Sequence, residues 1–224
     1  MKYDFRIPFT QVHVGRFFVL LVSIIFLFAL RPFLKGFVSI DILTEIFFSI
    51  VLLSAIHAVS QKRSTFVVAL LLAVPAFSLD WFGLILAAPS LAHVSRIMSA
   101  LFTAYVLMVL LSFVLSQKEV TADVLTAAVC GYFFLGFMWA FVYLFLEAVQ
   151  PGSFQFAQGQ TEDAGQFLYF SFVTMTTLGY GDITPVATGS RSLAALSAVM
   201  GQLYLAVTIA RLVGLHISQS QKQG

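Results

Sequence analysis

The sequence predicts an all-α integral membrane protein with six spanning helices and one short re-entrant helical segment per chain. Three observations carry that prediction. Of the 224 residues, 60% are hydrophobic and only 10% are charged, against about 25% charged in a soluble domain. The mean hydropathy is +0.97. Apolar runs recur along the chain, and a bilayer core about 30 Å thick takes roughly 20 helical residues. The net charge of +2 is small and scattered, which argues against a nucleic-acid surface.

The first run is Phe17–Leu34, interrupted near its end by Arg31 and Pro32. Its early part resembles a signal-peptide core, but no small-residue cleavage site follows, so it reads as a retained helix. The preceding segment, 1–16, carries Phe5, Phe9 and basic residues, and either lies at the membrane interface or is disordered. The second run is Asp41–Val59, with Glu45 near its start. The third is Phe66–Leu79, short, containing Pro75 and extending through Trp81 towards Ala88. The fourth is Leu91–Ser116, the fifth Val124–Leu146 and the sixth Ser192–Ala210. Between the last two lie a polar stretch, Gln150–Gln166, and a short apolar run too brief to span, which begins at Phe167.

Lys and Arg in the connections set the orientation. One side holds Lys2, Arg6, Arg16, Lys62, Arg63, Lys118, Arg211 and Lys222; the other holds Arg31, Lys35 and Arg191. That bias puts both termini in the cytoplasm of a multi-pass cell-membrane protein. The stretch Thr174–Asp182, TMTTLGYGD, then faces the outside on a segment that dips in and returns. Non-helical backbone at that depth is tolerated only where it is buried in protein or lines a water-filled cavity.

A cation entering the membrane loses water and needs replacement oxygens all round. Consecutive backbone carbonyls supply them if the chain alternates between ordinary and positive-φ conformations, which glycine adopts freely. Gly179 and Gly181 fit that need. Thr177 adds a hydroxyl, and Tyr180 can wedge its ring into the surrounding protein. The stretch occurs once per chain, so a closed ring requires several copies around an axis, and a cyclic homo-oligomer is the natural solution.

Thr177-Leu178-Gly179-Tyr180-Gly181-Asp182 resembles the Thr-Val-Gly-Tyr-Gly-Asp signature of potassium channels. Phe167–Thr176 is similar to that family's pore helix, with Thr176 leading into the filter, and Asp182, Pro185 and Gly201 fall at its outer-mouth aspartate, a proline and its inner-helix hinge. The resemblance implies a homotetramer in the lipid bilayer, K⁺ as the permeant ion with no other cofactor, and passive flux past the carbonyls of residues 177 to 180. It implies four parts, of the six-helix, one-pore-loop prokaryotic type: an N-terminal segment (1–16), a four-helix voltage-sensor-like domain (17–116), a pore domain (122–217) and a short tail (218–224). The tail is too short for a soluble ligand-binding domain. Leu178 stands where Val or Ile is usual, Tyr169 where many members carry a tryptophan that braces the aspartate, and Val173 where some carry a glutamate.

Several residues keep two readings. Gly201 is a bending point or a close-packing contact. Leu205, Ile209 and Val213 share one helical face, which lines an inner cavity or packs on the fifth helix. Glu162 and Asp163 concentrate cations with Asp182 or form a solvated turret. The fourth helix offers His93, Arg96, Ser99 and Phe102 where voltage sensors place arginines, so steep voltage gating is not expected; Arg96 snorkels or pairs with an acid such as Asp41 or Glu45. Cys130 lies in an apolar stretch, and the four histidines lack metal-ligand spacing. No catalytic constellation stands out, so an enzyme is not expected. A poorly selective cation pore and a non-conducting channel subunit are the alternatives.

Overall fold

A computed structural model describes residues 15–30, 40–59, 63–86, 89–157 and 163–223. Among the described residues seven helices follow one another: α1 (Arg16–Leu30), α2 (Ile40–Val59), α3 (Arg63–Leu86), α4 (Pro89–Ser116), α5 (Ala122–Val149), α6 (Ala164–Met175) and α7 (Thr188–Gln223). Two short strands, β1 (Phe154–Phe156) and β2 (Ile183–Pro185), flank α6 and its following loop. Among the described residues, α3, α4, α5 and α7 contain segments long and apolar enough to cross a membrane, while α1 and α2 contribute the shorter apolar stretches Phe17–Phe26 and Ser49–Ala58. The expected end of the first run, including Arg31 and Pro32, lies outside the described residues.

The structure refines the boundaries read from sequence. The third helix takes the longer form, Arg63–Leu86, with Pro75 inside it, and begins three residues before Phe66. Proline lacks the amide for one helical bond, which a membrane helix tolerates where neighbouring groups or a local adjustment re-satisfy the freed carbonyl. The polar stretch after the fifth helix contributes a strand not foreseen from sequence, in which Phe154, Gln155 and Phe156 pair antiparallel with Pro185, Thr184 and Ile183. Phe154 and Ile183 are buried and Gln155 is exposed, so this small ribbon has an inner and an outer side. The sixth helix continues through the expected tail as far as Gln223. Its 36 residues measure about 54 Å, well beyond the hydrocarbon thickness.

Helix α5 is the spine of the described chain. Thr121 caps it, accepting from the Val124 amide, and Asp123 sits in its first turn, where an acid suits the helix dipole. It packs against α1, α4, α6 and α7 of the same chain. Two glycines admit the neighbours closely. A Cβ on Gly136 would meet the Phe172 ring at 2.3 Å, and one on Gly131 would meet the Tyr204 hydroxyl at 2.3 Å. Ser171 donates to the Gly136 carbonyl at 2.8 Å, and Tyr204 donates to the Ala128 carbonyl at 2.7 Å. Phe28 of α1 joins Phe133, Phe137 and Phe172 in one aromatic cluster, which ties α1 to α5 and α6.

Within the first four helices, Asp80 of α3 accepts a hydrogen bond from Ser95 and, among the described residues, is an acid close enough to act on the charge of Arg96. The side chains of Asp41 and Glu45, the partners expected from sequence, lie outside the described residues. At the other end of α4, Arg211 of α7 donates to the carbonyls of Leu115 and Gln117, the latter at 3.1 Å. A cation there satisfies carbonyls that a helix end leaves without partners. Replacing Arg211 with Met is expected to destabilise the fold by about 1–2 kcal/mol. Thermal unfolding of the purified protein in detergent reads this as a lowered Tm, with Arg211→Lys falling between the two.

Candidate functional site

Helix α6 starts and stops for identifiable reasons. Asp163 caps its N-terminus, its carboxylate accepting from the amides of Gly165 at 2.7 Å and Gln166 at 3.0 Å. Asp163 is therefore a helix cap and not a free turret acid; Glu162 lies outside the described residues. At the other end the Thr176 hydroxyl donates to the Phe172 carbonyl at 2.7 Å. The Thr177 amide then bonds the Thr174 carbonyl at 3.0 Å and the Leu178 amide bonds the Val173 carbonyl at 3.0 Å. Together with a left-handed residue at 177 (φ 60°), those two bonds are a Schellman motif.

Glycine usually takes that left-handed place, because a β-branched side chain is strained there. Thr177 is held in it by the two amide bonds and by its own hydroxyl, which donates to the Thr176 carbonyl at 2.6 Å. Gly179 (φ 58°) and Gly181 (φ 79°) are also left-handed, the conformation expected of both. Positive φ thus recurs at every second residue from 177 to 181.

The Gly179 amide also turns to the Val173 carbonyl, at 3.3 Å. Amides of the loop are drawn towards α6, whereas among the described residues no hydrogen bond reaches the carbonyls of Thr177, Leu178, Gly179, Tyr180 or Gly181. Residues 176 to 181 are all exposed in the chain. The loop therefore presents a row of peptide oxygens without a partner among the described residues, while its first three amides, those of Thr177, Leu178 and Gly179, are held by α6. Chemically this suits a cation stripped of water, and it disfavours an anion.

The supporting residues gather around the same helix end. Tyr169 and Tyr180 stack with ring centroids 6.4 Å apart and planes within 7°. Tyr180 is nevertheless 66% exposed in the single chain. Tyr169 hydrogen-bonds Asp182, and desolvation, that bond and the nearby carboxylate push its phenol up to about 12. Asp182 accepts from the Ile183 amide through its side chain and from the Ala157 amide through its carbonyl at 2.9 Å. That second bond joins the loop to the ribbon's far strand. A cleft of about 340 Å³ lies behind the loop, between Phe170, Val173 and Thr174 of α6 and Ala194 and Ala198 of α7.

Sequence reasoning missed the ribbon's anchors. Glu147 is buried, its two carboxylate oxygens accepting from the amides of Gly152 at 2.5 Å and Phe154 at 3.0 Å. The Ser153 carbonyl accepts from Val186, from Ala187 and from the Ser190 hydroxyl. A lone acid at the end of an apolar helix, five residues before a glycine, was the available signal for Glu147.

Helix α7 meets the end of α6 at Gly201, where a Cβ would come within 2.7 Å of the Met175 carbonyl oxygen. This gives Gly201 a packing reason for having no side chain. Gln202 donates to that same oxygen at 3.0 Å. Leu205 is half-buried, and Ile209 and Val213 are exposed, further along α7 and apart from the loop.

Comparison with known proteins bears on the same region. Residues 120–216 match a protein-family model described as ion channel. The region from α5 to α7 is similar to an ion-channel domain. Over 53 residues the chain is 45% identical to two pore potassium channel c of Oryza sativa subsp. japonica, a match covering 24% of this chain and 11% of that relative. The chain thus spans about a tenth of the length of that protein. No solved structure gives a significant match. Together with its apolar helices, the chain is a helical membrane protein with an ion-channel-like domain.

Two outcomes follow from this geometry. Gly201→Ala forces a side chain onto the Met175 carbonyl, so overpacking of about 1–3 kcal/mol exceeds the gain of about 1 kcal/mol in helix propensity, and the Tm falls. A packing-neutral site would instead raise it. Because the Tyr169 phenol is raised above its ordinary value of about 10, its neutral form and its bond to Asp182 persist through that pH and are lost only as pH climbs through about 12. The difference in ultraviolet tyrosinate titration between the protein and Tyr169→Phe isolates that step.

Proposed function

We propose that four copies of this chain surround one axis and pass K⁺ down its electrochemical gradient, each contributing the carbonyls of Thr177, Leu178, Gly179 and Tyr180. The observation that carries this reading is the loop after α6, whose amides bond Val173 while its oxygens stay unpaired. One loop supplies only one side of a coordination shell, and rotational symmetry supplies the others. The apolar side chains exposed beside it, among them Leu178, Leu196, Val199 and Leu203, suit burial against neighbouring copies or lipid. Potassium is preferred over other cations because the motif resembles the potassium-channel filter, and because the similar rice protein bears a potassium-channel name.

The remaining parts support the same mechanism. The C-terminal end of α6, with its partial negative charge, points into the base of the loop and favours a cation there. Asp182 raises the local cation concentration at the outer mouth. Ions exchange hydration water for peptide oxygens and move between adjacent sites by mutual repulsion. On this reading Leu205, Ile209 and Val213 line an inner apolar cavity. Gly201 is first a docking contact, and any bending there must break the fit to Met175. The chain crosses the cell membrane six times with both termini inside, and α1–α4 form a weakly voltage-sensitive domain. Moving Arg96 through 100 mV yields roughly 2.3 kcal/mol, or about 9 for four copies, against several-fold more in arginine-rich sensors.

Reconstitution of the purified protein into planar bilayers tests the reading. Under K⁺ on one side and Na⁺ on the other, the reversal potential is expected to follow the K⁺ gradient, and Gly179→Ala is expected to abolish that discrimination. A reversal potential indifferent to K⁺ points to an unselective cation pore, and no current at all points to a non-conducting subunit. Either result overturns the proposal.

A further inference from the structure

We infer that four copies of His216 form a ring at the inner end of the pore that binds one divalent transition-metal ion; this rests on the four-fold assembly proposed above. Helix α7 is fastened to its own chain along a single line. Ser197 accepts from Tyr143, Tyr204 donates to the Ala128 carbonyl, Arg211 donates to the Gln117 carbonyl, and Gln219 accepts from the Val120 amide. These residues recur at intervals of seven and eight, so they share one side of the helix.

The opposite side carries Gln202, Ala206, Ile209, Val213, His216 and Ser220, each of them exposed. At about 3.6 residues per turn, Val213 falls half a turn from Tyr204. The steps from Gln202 to Ser220 alternate between four and three residues, the spacing by which helices pack around a common axis. Gln202 fixes where that seam points. Its Nε2 donates to the Met175 carbonyl at 3.0 Å, at the end of α6 that the pore reading aims at the axis. A seam that faces the axis at Gln202 keeps facing it at His216, because heptad spacing holds packed helices in register.

The seam changes character along its length. Ala206, Ile209 and Val213 are apolar, and His216 follows them. From the first residue of α7, Thr188, to His216 is about 42 Å, past the roughly 30 Å of hydrocarbon, so the ring meets water on the inner side. Its imidazole is exposed and has no hydrogen-bond partner among the described residues. Within one chain the described residues hold no cluster of three metal-ligating side chains. A ring is built differently, since each copy supplies one imidazole and the axis supplies the other three. Four ring nitrogens in a square suit Ni²⁺ or Cu²⁺, whereas Mg²⁺ takes oxygen ligands. An ion held there stands in the conduction path, and its occupancy blocks the current.

Calorimetric titration of the tag-free protein in detergent with Ni²⁺ reads the ring directly. One Ni²⁺ per four chains is expected. His216→Ala is expected to weaken that binding about tenfold or more, since loss of even an outer partner of a metal ligand costs about 10–100-fold. His216→Gln keeps a polar side chain and is expected to do the same, and gel filtration shows that both variants still assemble. His57→Gln, at the inner end of α2, is expected to leave the binding unchanged. In planar bilayers, internal Ni²⁺ is expected to block the unaltered protein and to lose potency about tenfold or more in His216→Ala, while Mg²⁺ acts equally on both. Selective K⁺ current without Ni²⁺ binding, or binding that survives His216→Ala, overturns this inference and leaves the pore reading intact. One Ni²⁺ per four chains without any K⁺ current upholds the ring and overturns the pore reading.

Discussion

The architecture depends on one carbonyl. Val173, in the last turn of α6, accepts from the amides of both Leu178 and Gly179 and so fixes the direction of the first peptides of the loop. At Thr177, Leu178 and Gly179 the backbone donors are satisfied by α6, and the loop's acceptors are left over among the described residues. In a membrane, leftover acceptors are costly unless water or an ion meets them. The helix ending and the coordinating row are therefore one structure, since the motif that stops α6 also aims the oxygens.

Much of the surrounding chain keeps that helix end in place. Tyr169 and Asp182 hold the outer side of the loop, and Asp182 is joined by its carbonyl to Ala157. The β1–β2 ribbon continues that link to Glu147, a buried carboxylate satisfied by two amides. On the inner side, Gly201 and Gln202 fasten α7 to Met175. Helix α5 lies behind these contacts, with Gly136 open to Phe172 and Ser171. Polar groups are few in this chain, and nearly all of those near the loop are spent on orienting it.

The sequence made part of this legible. Gly179 and Gly181 announce positive φ because few other residues adopt it at low cost, and the run of six residues from Thr177 is specific. Thr177 was readable as a ligand but not as a left-handed residue. That conformation comes from hydrogen bonds to Thr174 and Val173, which exist only once α6 ends where it does. Asp163 drew two readings from sequence, an acid at the mouth or a solvated turret, and its role as a helix cap emerges only from its contacts to Gly165 and Gln166. The ribbon was hidden because three-residue strands carry almost no periodic signal. Pro75 obscured the third helix, since proline ends a helix in water far more readily than within a bilayer. Gly201 drew two explanations from sequence, and the nearness of the Met175 oxygen supplies a concrete reason for one of them.

The most direct test of the central claim is to locate the ion itself. Crystals of the assembled protein grown in rubidium salt, with anomalous difference density collected at the rubidium edge, report where dehydrated monovalent cations rest. The account predicts peaks on the symmetry axis level with the carbonyls of Thr177, Leu178, Gly179 and Tyr180. Density absent from that axis, or those carbonyls found hydrogen-bonded within their own chain, would contradict it.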